Sequence, residues 1–170
     1  MLNEKIHEAL TAQVNAELWS AYLYLSMSID LEMKGLKGFS HWYYVQSQEE
    51  FDHANILINY LISRDSKIRM DQILSVPNSW SSPIEILKES LAQEQKVSAK
   101  IQELATLASR MEDFATQNCI QWFVNEQVEE EQSLRDLINL FNMTAEFKCG
   151  LLNMDSDLAK RRYKKPSIIG

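Results

Sequence analysis

The sequence predicts an all-α protein: a four-helix bundle with one long crossover and a short C-terminal fifth helix. Three observations predict it. Proline occurs only at 77, 83 and 166, which leaves residues 1–76 and 84–165 free of the residue that breaks helices. Four segments carry apolar residues at steps of three and four, the spacing that keeps a stripe on one helical face. Between the second and third segments, residues 65–82 are rich in Ser and Asp, include Pro77-Asn78, and carry no such stripe.

Helix one, about 3–34, presents Leu10, Val14, Glu17, Ala21, Tyr24, Ser28 and Leu31 on one face. Gly35 and Gly38 bracket a tight turn into helix two, about 37–64, so the first two helices are expected to lie antiparallel. Helix two carries Phe39, Tyr43, Gln46, Glu50, His53, Leu57 and Tyr60. Pro83 stands at a favoured first-turn position of helix three, whose stripe is Ile84, Leu87, Leu91, Glu94, Ser98, Ile101, Ala105 and Ala108. A short link at 109–113 leads to helix four, about 113–142, with Thr116, Ile120, Phe123, Gln127, Glu130, Leu134, Leu137 and Phe141.

The crossover sets the topology. A helix over 37–64 is about 42 Å long, and the linker at 65–82, extended, reaches about 60 Å. It can return along the whole bundle and start helix three beside the beginning of helix two, which is the one-crossover arrangement. A single domain over 1–170 is expected, with the bundle at about 3–142, the crossover at about 65–82, and a short helix and tail at about 151–170. Gly150 breaks the chain, and Leu151–Tyr163 is expected as the short helix, capped near Asp155. The basic run Lys160–Lys165 reads as a solvated or subunit-contacting tail, with polyanion binding as the alternative.

Composition excludes several classes. The net charge of −7 disfavours nucleic-acid binding, which needs a basic face. Cys119 and Cys149 form no CxxC pair and no disulfide framework. The first residues, Met1-Leu2-Asn3-Glu4-Lys5, lack the apolar core of a signal peptide, and no run reaches membrane-spanning length. A cytoplasmic location is the expectation.

Each apolar stripe is interrupted near its middle by a metal-capable group: Glu17, Glu50 with His53, Glu94, and Gln127 with Glu130. A buried, unpaired carboxylate costs several kcal/mol, and no Lys or Arg lies on the stripes to pair with these. Glu50 follows Glu17 by 33 residues (50 − 17), and Gln127 follows Glu94 by 33 (127 − 94). Each half is thus a hairpin with an acid on its first helix and a pair at i, i+3 on its second. That is the di-metal carboxylate pattern of bundle cores, and oxygen donors with one imidazole suit iron or manganese. Trp42 and Trp122 read as packing residues, and His7 and His41 as surface histidines.

The stretches Asn15-Ala16-Glu17-Leu18, Gln48-Glu49-Glu50-Phe51-Asp52-His53 and Asn125-Glu126-Gln127-Val128-Glu129-Glu130-Glu131 resemble those of the non-haem bacterial ferritins, over residues 1 to about 142. The resemblance implies a ferritin-like fold and a ferroxidase centre that oxidises Fe(II) with O2 or hydrogen peroxide. Glu17, Glu50 and His53 would hold one iron, and Glu50, Glu94 and Glu130 a second, with Glu50 bridging. Gln127 would be a neighbour or weak contact, Tyr24 the tyrosine beside the pair, and Glu49, Glu126 and Glu129 a third iron site. By their residue types alone, those three glutamates read as solvated charges and Tyr24 as a core aromatic.

The same resemblance implies a 24-subunit cage that stores ferric mineral, with no membrane partner and no haem. Haem-binding bacterioferritins have a second Glu-x-x-His where Gln127-x-x-Glu130 stands here, and a methionine where Phe51 stands. Animal ferritins line their three-fold channels with acids at places that correspond to Gln117 and Ile120. Two other readings remain open at this point. A non-storage di-iron or di-manganese oxidase or peroxidase would be a small oligomer without mineral. A helical interaction module would bridge its acids with Arg or Lys and hold no metal.

Overall fold

The protein, described by a computed structural model over residues 2–144, 147 and 149–166, has five helices: α1 (Glu4–Met33), α2 (Lys37–Ser63), α3 (Pro83–Arg110), α4 (Phe114–Thr144) and α5 (Gly150–Leu158). The first four match the sequence expectation to within two or three residues. The fifth is shorter than expected, and residues 161–166 are not helical.

The C-terminal ends of α1, α2 and α3 use one device. The amide of Leu36 donates to the Leu31 carbonyl, that of Ser66 to Leu61, and that of Asp113 to Ala108, each at 3.0 Å. These are Schellman endings, in which the residue before the donor takes a left-handed conformation. Those residues are Gly35 (φ 78°), Asp65 (φ 52°) and Glu112 (φ 53°). Asp113 then caps α4, accepting from the Thr116 amide at 3.1 Å, and a two-pronged Arg64–Asp113 pair at 3.1 and 3.2 Å ties the end of α2 to this corner.

The crossover runs along α1 in the same direction. His7 Nε2 meets the Lys67 carbonyl at 2.9 Å, Asn15 donates to Gln72 O at 3.4 Å, Ser26 to Pro77 O at 2.7 Å, and Lys34 to Trp80 O at 2.6 Å. It therefore delivers α3 beside the start of α2, as its length predicts. Buried Trp80 and part-buried Val76 seal this end of the crossover onto the core.

The apolar interior falls into two clusters. One gathers Tyr24, Met27, Leu31, Phe39, Tyr43, Leu87 and Leu134, with Met154 and Leu158 of α5. The other gathers Ile6, Leu10, Leu57, Leu61, Ile101, Ile120 and Phe123. Burial of such side chains stabilises by about 1.5–3 kcal/mol each before entropy is counted. Ile120 is fully buried in the second cluster.

Helix α5 docks on the start of α2. A Cβ on Gly38 would lie 1.6 Å from the Asp155 carbonyl oxygen, so the two backbones touch there because residue 38 has no side chain. Gly38 lies inside α2, not in the turn. Asp155 sits within α5, and its carboxylate accepts from the Phe39 amide at 2.9 Å. It caps α2, whose own Leu36 N-cap supplies no side-chain bond, and not α5 as the sequence suggested.

Candidate metal centre

Between the two apolar clusters lies a polar layer contributed by all four long helices. Glu17 comes from α1, Gln46, Glu50 and His53 from α2, Glu94 from α3, and Gln127 and Glu130 from α4, all buried. Glu17, Glu50 and His53 are each 1% exposed and Glu94 is 0% exposed. No Lys or Arg is buried among the described residues, so side-chain ammonium or guanidinium groups do not neutralise these acids from within.

Amides hold the carboxylates in place. Gln13 donates to Glu17 Oε1 at 2.8 Å, and Gln46 donates to Glu130 Oε2 at 2.7 Å and Glu50 Oε1 at 3.3 Å. Gln127 donates to Glu94 Oε2 at 3.0 Å, and Tyr24 donates its hydroxyl proton to Glu94 Oε1. What these bonds leave over is informative. Glu17 Oε2 and both ring nitrogens of His53 are buried with no hydrogen-bond partner. Buried donors and acceptors are almost always paired, so orphans gathered in one place suit a cation.

Two groups of three ligand atoms lie within 4.8 Å of one another among the described residues: Glu17, Glu50 and His53, and His53, Glu126 and Glu130. His53 belongs to both, with Nδ1 3.4 Å from Glu50 Oε2 and Nε2 4.0 Å from Glu126 Oε1. Trp122 and Phe123 pack against the imidazole edge-to-face, with ring centroids 5.5 and 6.0 Å away.

The electrostatics follow from burial without a compensating charge. Burial, then the Glu50 carboxylate, pushes Glu17 up to about 8. Burial, then Glu94, pushes Glu130 up to about 7. Burial and the neighbouring Glu94 and Glu130 hold Glu50 well above the carboxylate range. Burial also raises Glu94, against the opposing hydrogen bonds of Tyr24 and Gln127. The layer thus retains protons that a divalent cation would replace.

Outside this layer, Glu49, Glu126 and Glu129 line one cleft of about 400 Å³ with His53, Glu130 and Arg161. The Glu49 carboxylate is ion-paired with Arg161, Glu126 is half-buried, and Glu129 is exposed. The basic run is therefore not a free tail at its start: Arg161 packs on α2, while Lys164 and Lys165 are exposed on the cleft's rim. Trp42 does more than pack, because the Arg161 guanidinium lies over its ring. His41 is exposed, as expected, and His7 is half-buried against the crossover.

Three residues of this arrangement carried no assigned role in the sequence: Gln13, Gln46 and Arg161. The glutamines had a signal. Each stands four residues before a layer glutamate, one helical turn away, and they are themselves 33 residues apart (46 − 13).

An antiparallel four-helix bundle that seals orphaned carboxylate and imidazole donors at mid-height defines a ferritin-like metal bundle. Residues 7–144 match the family described as Ferritin-like domain, and the chain belongs to the ferritin family. It is 37% identical over 161 residues to the bacterial non-heme ferritin of Bacteroides fragilis, covering 95% of this chain and 100% of that one. It is 31% identical to the bacterial non-heme ferritin of Staphylococcus saprophyticus, covering 96% and 98%. Among solved structures it is similar to an open pore ferritin from the hyperthermophilic archaeon Archaeoglobus fulgidus, with a TM-score of 0.94 and 40% identity over 95% of this chain and 100% of the other. The family binds iron, and the orphaned donors above fit that use.

Proposed function

We propose that this iron-storage ferritin oxidises Fe(II) at a centre built from the polar layer. In this reading Glu17, Glu50 and His53 hold one Fe(II), and Glu50, Glu94 and Glu130 a second, with Glu50 between them. Gln127 keeps Glu94 in place, and Tyr24 donates to Glu94 beside the pair. Arriving cations displace the protons that burial retains on the carboxyls. Two Fe(II) give up two electrons; O2 accepts them with two protons to form hydrogen peroxide, or hydrogen peroxide accepts them with two protons to form water. The carboxylates favour the ferric product because they add charge compensation as charge on the metal grows.

The reading continues outward. Ferric iron passes by His53 and Glu130 to Glu49, Glu126 and Glu129, a third iron position at the cleft, and from there into the interior of a homo-oligomeric cage of 24 copies. The centre uses no haem, a reading supported by Phe51, which has no ligating atom. One domain spans the chain and works in the cytoplasm; no helix among the described residues is long and apolar enough to cross a membrane.

The observation that carries this reading is the set of partnerless buried atoms, Glu17 Oε2 and the two His53 nitrogens, within reach of Glu50. A Glu17→Ala, Glu50→Ala double variant is expected to slow stopped-flow Fe(II) oxidation by about 100-fold or more, since losing even the outer partners of metal ligands costs about 10–100-fold. Size-exclusion with iron analysis is expected to find the unmodified protein's iron in one large particle. Oxidation by the double variant at the original rate would show the centre to be misassigned.

A further inference from the structure

After α5 the chain turns back across α2, and Arg161 fixes it there. The guanidinium lies 4.3 Å over the Trp42 ring, donates to Trp42 O at 3.3 Å and Gln46 Oε1 at 2.8 Å, and pairs with the Glu49 carboxylate. Its side chain is only 21% exposed. Tyr163 adds a second hold by donating to Asp52, and His41 Nε2 meets the Arg161 carbonyl at 2.8 Å. A single side chain thus does two things at the cleft. It neutralises one outer carboxylate, and it holds the Gln46 carbonyl so that the amide nitrogen points at Glu130 and Glu50.

We propose that Arg161 is a positioning residue for iron transfer: its guanidinium stands at Glu49 in place of the third iron, and iron arriving there must displace it and free residues 161–166. The inference rests on the reading of Glu49, Glu126 and Glu129 as the third iron position. A carboxylate engaged by a guanidinium is charge-compensated, so the metal and Arg161 compete for it. Competition is reciprocal: whatever factor Arg161 takes from iron affinity, bound iron takes from the hold on the C-terminal segment. The Arg161–Gln46 bond extends the effect inward, because release of Arg161 frees the amide that orients Glu130 and Glu50.

The test uses the assembled, mineral-free, full-length protein under nitrogen. Calorimetric titration with Fe(II) is run on the unmodified protein, Arg161→Gln and Arg161→Lys, and hydrogen exchange of residues 159–166 is followed by mass spectrometry. The first two Fe(II) per subunit are expected to bind in all three, with any change confined to the second, which Glu130 holds. The third is expected to bind about tenfold tighter to Arg161→Gln, with Arg161→Lys returning to near the unmodified affinity. In the unmodified protein the C-terminal segment should exchange faster when the third Fe(II) is added, and not with the first two. Should Arg161→Gln fail to assemble, the exchange experiment on the unmodified protein decides alone. Unchanged third-iron affinity in Arg161→Gln, or segment exchange indifferent to the third Fe(II), reduces Arg161 to a structural clamp and overturns the proposal. Absence of any third Fe(II), with the first two still bound, overturns it while leaving the inner centre standing. Loss of the first two as well would instead overturn the inner centre itself.

Discussion

Glu17 accepts one hydrogen bond, from Gln13, and its second oxygen accepts none. Its carboxyl, ordinarily near 4.5, is pushed up to about 8 by burial and by Glu50. Between those values the folded, metal-free protein holds a proton that the unfolded chain has lost. The associated stability is complete below about pH 4.5 and disappears as pH rises through 8, and Glu130, raised to about 7, acts with the same sign. The metal-free protein is therefore expected to melt at lower temperature at pH 8.5 than at pH 5.5. Glu17→Gln should raise the melting temperature at pH 8.5 by about 5 °C, the effect of ~2 kcal/mol in a chain of this size. Calorimetry of the two metal-free proteins across that range checks it; an equal or greater fall in Glu17→Gln would remove Glu17 as the source. The layer acids were legible in the sequence because each breaks an apolar stripe at a duplicated spacing. Arg161 was not, since its partner Glu49 is 112 positions away and only the folded path of the chain joins them.

Among the elements, the long helices were legible because a period of three and four needs nothing but the local sequence. Docking of α5 was not. Gly38 looks like half of a turn signal, yet the turn is closed by Gly35 alone, and Gly38 lies where another backbone must approach. The two glycines separate two physical causes. A Cβ at Gly35 meets nothing within 4 Å, so Gly35→Ala should cost only the left-handed strain, about 1 kcal/mol. A Cβ at Gly38 meets the Asp155 carbonyl at 1.6 Å, so Gly38→Ala must push α5 away and break the Asp155 cap on Phe39, about 3 kcal/mol or more. Chemical denaturation measures both costs, and hydrogen exchange in α5 should rise only for Gly38→Ala. Equal costs would mean that α5 does not bear on residue 38.

For the molecule as a whole, the topology was legible from linker length, whereas the division of the core was not, because a stripe does not say which neighbours it meets. The polar layer keeps Leu31 in one cluster and Leu57 in the other. Leu31→Ala and Leu57→Ala are each expected to cost about 3 kcal/mol, and the double variant should cost their sum within about 0.5 kcal/mol. A larger coupling in denaturation experiments would mean that the two clusters act as one. The crossover has a different consequence. His7, Asn15, Ser26 and Lys34 hold it by backbone carbonyls, a group that every residue type carries. The route of this segment is thus encoded largely in the first helix and its C-cap, so the crossover can drift in sequence, provided that its length and the apolar contacts of Ile68, Val76 and Trp80 are kept.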